Sequence, residues 1–307
     1  MSSNPDFSDA ELIELIAGLK KQRNAVILAH NYVPAEIQDI ADFCGDSLEL
    51  SIKAADTAAD VIVFCGVRFM AETAKILSPE KTVLLPVSDA GCAMAQMIDA
   101  AAVRELKHQH PGAAVVCYVN STAEVKTEVD VCCTSANAAK IVDKIKGEVI
   151  FVPDGNLARN VAKTLARNNI VPFKGYCPIH NRFTVAMIEK RRREFPGAPV
   201  FVHPECPPEV VAAADAALST GMMLKYVREN PAELFVVGTE IGITHRLEKE
   251  NPDKKFIPLT TQAVCPDMKR IGLWDVYVSL RDLTETIQLD EDTVKRARGP
   301  IDRMIKG

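Results

Sequence analysis

Three cysteines stand 85 and 88 residues apart in similar surroundings: Ala90-Gly91-Cys92-Ala93-Met94, Gly175-Tyr176-Cys177-Pro178-Ile179-His180 and Ala263-Val264-Cys265-Pro266-Asp267-Met268. A period of that length restricts the fold strongly, because each copy of a repeated unit must bury its apolar face in the same way. The neighbouring sequence repeats too. His110-Pro111-Gly112-Ala113-Ala114-Val115 returns 85 residues later as Phe195-Pro196-Gly197-Ala198-Pro199-Val200. The apolar runs that follow end in polar tips, Tyr118-Val119-Asn120 and His203-Pro204-Glu205, and a matching run, Val26 to Ala29, ends at His30-Asn31-Tyr32. Seventeen residues beyond His30, Tyr118 and His203 lie Ser47, Ser135 and Thr220.

Between these landmarks short apolar runs alternate with amphipathic stretches, the pattern of parallel strands joined by helices. The first unit reads as helix 9–22, strand 26–29, strand 39–44, helix 48–58, strand 61–64, helix 70–77 and strand 82–87. The second and third units repeat this order, with strands near 114–119, 129–133, 148–152 and 170–173, then 200–203, 213–217, 233–237 and 255–259. The expected fold class is α/β: three homologous αβα sandwiches with parallel sheets, at residues 1–90, 91–175 and 176–265. The segment 266–307 should form two helices that close the first unit, with Trp274 and Tyr277 packed on an earlier part of the chain.

Composition narrows the function. A net charge of −5 with scattered lysine and arginine argues against a nucleic-acid surface, which needs clustered positive charge. No apolar run approaches the roughly 18 residues of a membrane span. The opening residues, Met1-Ser2-Ser3-Asn4-Pro5-Asp6, have neither a basic start nor an apolar signal core, so a cytoplasmic location is expected. Nine cysteines without a secretion signal point to reduced thiols or metal ligands. Neither a phosphate-binding loop, nor a dinucleotide fingerprint, nor a nucleophile elbow occurs.

Ligands of open parallel sheets bind at the carboxyl ends of the strands, where all of these polar tips lie. If the units pack around a pseudo-threefold axis, Cys92, Cys177 and Cys265 meet there; an open array of repeats would keep them apart. Thiolates suit zinc, copper(I) or an iron–sulfur cluster. None of the three has a partner at C-x-x-C spacing, which disfavours a zinc ribbon. Three ligands on a four-iron cluster leave one iron open to substrate. Cys44, Cys65, Cys117, Cys132 and Cys133 read as core residues, whereas Cys206 is either core or a fourth ligand. His30 and His203 belong to the site by their position, and His180 either orients substrate or caps a helix. Ser47, Ser135 and Thr220 read as helix N-caps, which at the same time places free backbone amides where an anion can bind.

Taken together, His30-Asn31-Tyr32, Gly45-Asp46-Ser47, Cys65-Gly66-Val67-Arg68-Phe69-Met70-Ala71-Glu72, Tyr118-Val119-Asn120, Thr134-Ser135, Pro153-Asp154-Gly155-Asn156-Leu157, His203-Pro204-Glu205-Cys206 and the three cysteines resemble the quinolinate synthase family over essentially the whole chain. The resemblance implies three αβα domains around a pseudo-threefold axis and one [4Fe-4S] cluster per chain, held by Cys92, Cys177 and Cys265. It implies condensation of iminoaspartate with dihydroxyacetone phosphate, losing phosphate and two waters, to give quinolinate for NAD synthesis. A functional link to the enzyme that supplies iminoaspartate follows. The implied substrate contacts are His30, Ser47, Tyr118, Asn120, Ser135, His203, Glu205 and Thr220, with Tyr32 also in the site. Glu205, His203, His30 and Tyr32 are the expected proton carriers. Some relatives carry extra cysteines before the third ligand, where this chain has Leu259 and Gln262, so a thiol switch is not expected there. The alternatives are a reductive, diphosphate-cleaving three-cysteine cluster enzyme, which needs an electron donor, and a non-catalytic iron–sulfur or zinc protein.

Overall fold

The computed structural model describes residues 7–306, so the N-terminal stretch 1–6 that was read for a secretion signal lies outside the described residues. Twelve strands form three four-stranded parallel sheets. The first contains β1 (Ala25–His30), β2 (Phe43–Gly45), β3 (Val61–Cys65) and β4 (Thr82–Leu84) in the order β2-β1-β3-β4. The second contains β5 (Ala114–Tyr118), β6 (Val131–Cys133), β7 (Val149–Val152) and β8 (Ile170–Pro172) in the order β6-β5-β7-β8. The third contains β9 (Val200–Val202), β10 (Ala216–Ala217), β11 (Leu234–Gly238) and β12 (Lys255–Pro258) in the order β10-β9-β11-β12. The α/β class with three parallel sheets is therefore as expected from the alternating pattern.

Register repeats along with order. His30 pairs with Gly45 and Tyr118 with Cys133, while Ala29, Cys117 and Val202 pair with Cys65, Val152 and Gly238. A carboxylate latch holds each first strand to the entry of its second. Asp42, Asp130 and Asp215 accept from the amides of Ile27, Val115 and Val200 at 2.7–2.8 Å. The turn ahead of each first strand also repeats: Gly112 and Gly197 have φ of 85° and 84°, and Asn24, at the matching place of the repeat, has φ of 44°. Asparagine tolerates this left-handed region better than other residues bearing a Cβ.

Side-chain alternation divides sheet three between two apolar layers, as the two-residue period of a strand requires. Val200, Val202 and Val236 face a small core with Phe183 and Ile188, whereas Phe201, Phe235 and Val237 join the main core. Short helices Ala35–Ile40, Ala123–Lys126 and Pro208–Ala213 follow the polar tips; they are too brief for periodicity to reveal. Helix Ile243–Glu250 before β12 contains His245.

Beyond Cys265, helix Leu273–Asp282 packs on helix Asp9–Gln22. Trp274 and Tyr277 lie 6.2 and 6.1 Å from the Phe7 ring. Helix Glu291–Lys306 lies across β6 and helix Arg68–Leu77, so it ties the second sheet to the first. Arg298 donates to the Leu77 carbonyl at 2.7 Å, and Asn137 donates to the Met304 carbonyl at 3.0 Å. Among the described residues, no helix is long and apolar enough to cross a membrane.

Candidate active site

The carboxyl ends of all three sheets open onto one cavity of about 460 Å³. Every residue singled out as a candidate lines it: Cys92, Cys177 and Cys265; the tips His30, Tyr32, Tyr118, Asn120, His203 and Glu205; and Ser47, Ser135 and Thr220. The open-array alternative is thereby excluded. Cys206 does not line the cavity; it is buried in the small core of sheet three, and Cys65, Cys117, Cys132 and Cys133 are buried in their strands.

Each of the three cysteines starts a tight turn that leads into a one-turn helix, Ala95–Met97, His180–Arg182 or Asp267–Lys269. Each sulfur faces the backbone amides two and three residues ahead: Met94 and Ala95, Ile179 and His180, Asp267 and Met268. Burial pushes the Cys92 thiol up to about 12 and raises Cys177 and Cys265 as well, while these amides pull in the opposite direction by favouring the anion. Cys92 also feels the charges of Cys265 and Cys177 feels that of Cys92, as close neighbours do. Three converging thiols, each with two sulfur-directed amides and no cysteine disulfide, form a donor set that suits a soft metal centre. A second donor group overlaps it: Cys177 Sγ, His180 Nδ1 and a Glu205 carboxylate oxygen lie within 4.8 Å of one another.

Glu205 is buried and accepts two strong hydrogen bonds, from Tyr118 Oη at 2.5 Å and from His180 Nδ1 at 2.7 Å. Burial alone would raise its pKa, but His203, His180 and the Tyr118 hydroxyl outweigh that and hold Glu205 below the usual carboxylate range. Its position is fixed from behind: Asn156 donates to its carbonyl at 3.3 Å, and Asn160 bridges the Pro204 and Cys206 carbonyls at 2.8 and 2.9 Å.

His30 and His203 are buried, and burial lowers both to about 3, so both rings are neutral near pH 7. The amides of Tyr32 and Glu205 donate to His30 Nδ1 and His203 Nδ1 at 3.2 and 3.3 Å. Each ring therefore carries its proton on Nε2. His203 stacks on His180 at 4.6 Å, and His30 meets the Tyr32 ring edge-on at 4.7 Å. Burial raises the pKa of both Tyr32 and Tyr118, and so keeps their hydroxyls protonated.

The N-cap reading of Ser47 and Thr220 is corrected by one residue. Asp46 and Ser219 cap helices Ser47–Asp56 and Thr220–Glu229, accepting from Leu48, Glu49 and Met222 amides at 3.0–3.3 Å. Ser47 and Thr220 thus occupy the first helical position, with hydroxyls released from capping. Thr220 Oγ1 accepts from Asn31 Nδ2 at 2.9 Å. Ser135 precedes helix Ala138–Asp143 and bonds to the Tyr118 hydroxyl instead. Asn120 Oδ1 is buried without a hydrogen-bond partner, an acceptor left for a ligand. The cavity also takes in Arg182, the one lysine or arginine among the described lining residues. His180 is part of the site and not merely a helix cap, because both ring nitrogens are engaged there. Sequence reasoning missed Thr239, Glu240 and Arg182. For Thr239 a signal existed: it follows Gly238 at the carboxyl end of β11, the place where such sheets put their chemistry.

Three copies of one α/β unit that share a single buried cavity, with acid–base groups from all of them, define an enzyme whose active site no unit forms alone. The family model described as "Quinolinate synthetase A protein" matches residues 14–306. The chain is 53% identical over 292 residues to "Quinolinate synthase" of Dehalococcoides mccartyi (strain CBDB1), covering 95% of this chain and 96% of the relative. It is 49% identical over 301 residues to "Quinolinate synthase" of Alkaliphilus metalliredigens (strain QYMF), covering 98% and 99%. Against that of Methanoregula boonei (strain DSM 21154 / JCM 14090 / 6A8) the identity is 50% over 297 residues, covering 96% and 98%. The chain belongs to the quinolinate synthase family.

Proposed function

We propose that this chain condenses iminoaspartate with dihydroxyacetone phosphate to make quinolinate, with loss of phosphate and two waters, in NAD biosynthesis. We further propose that Cys92, Cys177 and Cys265 hold one [4Fe-4S] cluster, and that the repeated units span 1–90, 91–175 and 176–265, each cysteine standing at or within two residues of the C-terminal end of one unit. The observation that carries this reading is the meeting of three equivalent thiols with the polar tips of three sheets in one cavity. When bound, such a cluster supplies an open iron that acts as a Lewis acid toward a leaving hydroxyl or a substrate nitrogen.

The chain's own groups supply the rest. Ser47 and Thr220, at the first positions of ten-residue helices, offer hydroxyls and free amides to carboxylate or phosphate. Ser135 and Asn120 act from the second unit, with Asn120 Oδ1 accepting from an amine or hydroxyl of the substrate. His30 and His203 donate from Nε2. Glu205, Tyr32 and Tyr118 take up and return the protons that condensation and dehydration require. An imine hydrolyses in water, so the enzyme that makes iminoaspartate must work close by, and we place both in the cytoplasm.

The test is anaerobic purification, with iron and sulfide analysis and absorbance, of wild type and Cys92→Ala, followed by an assay for quinolinate. About four irons per chain, lost in the variant, together with product formation would support the reading. A colourless protein after cluster reconstitution, or one holding zinc, would refute it.

A further inference from the structure

Asn31 follows the His30 tip, is fully buried and is not part of the cavity wall. Its side-chain amide spans the boundary between the first and third units. Nδ2 donates to Thr220 Oγ1 at 2.9 Å, while Oδ1 accepts from an Arg246 guanidinium nitrogen at 2.8 Å and from the Cys44 thiol at 3.4 Å. The Asn31 backbone is held as well: its amide donates to the Gly45 carbonyl and its carbonyl accepts from Gln38 Nε2, both at 3.2 Å. Arg246, on helix Ile243–Glu250, is itself fixed by bonds to the Cys44 carbonyl at 2.5 Å and to Glu250 Oε1 at 2.6 Å.

The two ends of an asparagine amide have the same shape, so their neighbours decide which way it faces. Arg246 carries only donors and must meet Oδ1, which turns Nδ2 toward Thr220. The Thr220 oxygen accepts that bond, and the single proton of its hydroxyl points elsewhere. Among the described residues the Thr220 hydroxyl makes no other hydrogen bond. The Asp46 carboxylate beside Gly221 does not claim the proton, because the Leu48 and Glu49 amides at 3.0 Å and the Ser219 hydroxyl at 3.2 Å already occupy it. Thr220 lines the cavity, so its proton is left for a ligand there. The repeat equivalents of Asn31 are Val119 and Pro204, which bear no side-chain donor, so the other two units lack this device.

We infer that Asn31 is a positioning residue for anion recognition: locked by Arg246, its amide keeps the Thr220 hydroxyl proton directed into the cavity, where it meets an oxygen of a carboxylate or a phosphate. A hydroxyl free to rotate would have to be oriented at the moment of binding, and fixing it beforehand removes that cost. The inference rests on the proposed function for the identity of the substrates, but not for the preference for an anionic oxygen.

Asn31→Asp tests this, because aspartate keeps the shape and the bond to Arg246 but can only accept. Thr220 then turns its proton to residue 31 and presents lone pairs to the ligand. The protein, purified without oxygen, is titrated calorimetrically with succinate and with dihydroxyacetone phosphate, and quinolinate formation is followed in parallel. Kd for at least one probe should rise about 10- to 100-fold, the KM of the matching substrate should rise with it, and kcat should stay within about threefold of wild type. A rise confined to succinate assigns Thr220 to a carboxylate, one confined to dihydroxyacetone phosphate assigns it to the phosphate, and a rise in both marks a place the two share. Thr220→Val separates the hydroxyl from the charge that aspartate adds: in that background Asn31→Asp should weaken binding by no more than about threefold, because the group it acts through is gone. If Asn31→Asp does not fold, Asn31→Ala takes its place, with a rise in Kd of at least about threefold expected from a hydroxyl free to turn. A wild type that binds neither probe, unchanged Kd for both probes in the variant, equal losses with and without the Thr220 hydroxyl, or a lowered kcat at unchanged KM would each overturn the inference. A wild type that binds the probes but makes no quinolinate would sink the proposed function and leave the titrations to decide on Asn31.

Discussion

Glu205→Gln separates chemistry from architecture at the centre of the cavity. The carboxylate accepts from Tyr118 Oη and His180 Nδ1, and its position is held by bonds from Asn156 and Asn160 to the surrounding backbone, which the substitution leaves in place. Glutamine keeps one oxygen for the tyrosine and turns an amide toward His180, whose proton can move to its other nitrogen. Two charge-assisted hydrogen bonds of roughly 1.5–3 kcal/mol each become neutral ones, while the cost of burying a carboxylate disappears. These changes oppose each other, so the net loss of stability should be about 2 kcal/mol at most. A domain stable by roughly 5–15 kcal/mol remains almost wholly folded after such a loss. Removing a general acid or base costs about 10²- to 10⁴-fold in rate, or about 2.7–5.4 kcal/mol of barrier. The rate effect therefore cannot come from unfolding. Quinolinate formation should fall by at least about 100-fold in the variant while iron and sulfide content match wild type. Turnover within tenfold of wild type, with the metal content intact, would remove Glu205 from the proton chemistry.

Acid should destabilise the fold already above the pH at which ordinary carboxylates are protonated. His30 and His203, lowered by burial to about 3, stay neutral in the folded chain while the unfolded chain binds protons below about pH 6.5. Stability is then lost as pH falls through that window, by about 1.4 kcal/mol per pH unit for each ring. Glu205 adds nothing there, since its depressed folded pKa matters only below the unfolded carboxylate value near 4.3. Denaturant midpoints at pH 7.5, 6.5 and 5.5 check this, and equal midpoints would contradict the burial argument. Cys206→Ala should keep the full iron content that Cys92→Ala loses, because Cys206 is buried away from the cavity; iron loss in it would restore Cys206 as a ligand. Arg182→Gln should raise KM for the phosphate-bearing substrate about tenfold with kcat little changed, as expected for a rim cation that adds binding alone. Gly155→Ala should lower the denaturant midpoint, since its Cβ would press into the Phe173 carbonyl oxygen and overpacking of that kind costs about 1–3 kcal/mol.

Much of this was legible in the sequence because the repeat states the same design three times. Apolar strands covered on both faces read as continuous runs, and their polar ends mark the side on which a parallel sheet binds ligands. That logic is enough to gather His30, Tyr118, His203 and the three cysteines. What stayed hidden depends on distance between units. Nothing in Gly238-Thr239-Glu240 announces that Thr239 will meet Tyr32, 207 positions away in the chain. The capping error at Ser47 and Thr220 has a local cause, since Asp46-Ser47 and Ser219-Thr220 each offer two good capping residues in a row. The aspartate latch at Asp42, Asp130 and Asp215 was visible as a repeat but has no meaning until strand register makes its partner a backbone amide.

The pattern of sameness and difference among the units separates scaffold from chemistry. Positions that every unit must satisfy for itself are identical: the latch aspartate and the cysteine with its two amides. The cysteines are also the one set that a centrally placed group would contact equivalently from three sides. Positions that face the remaining cavity have diverged. The strand tips read His30, Tyr118 and His203, and two residues on they read Tyr32, Asn120 and Glu205. Three like walls would suit a ligand with threefold symmetry, but the proposed condensation of two different acyclic substrates into a ring offers no two faces alike. Each wall must then supply a different group, and among the described residues a line of hydrogen bonds beside the cavity, Tyr32–Thr239–His180–Glu205–Tyr118, runs from the first unit through the third to the second. A single unit, however well folded, would lack at least one of the three thiols and hold only a fragment of that line, which is why the activity belongs to the joined chain.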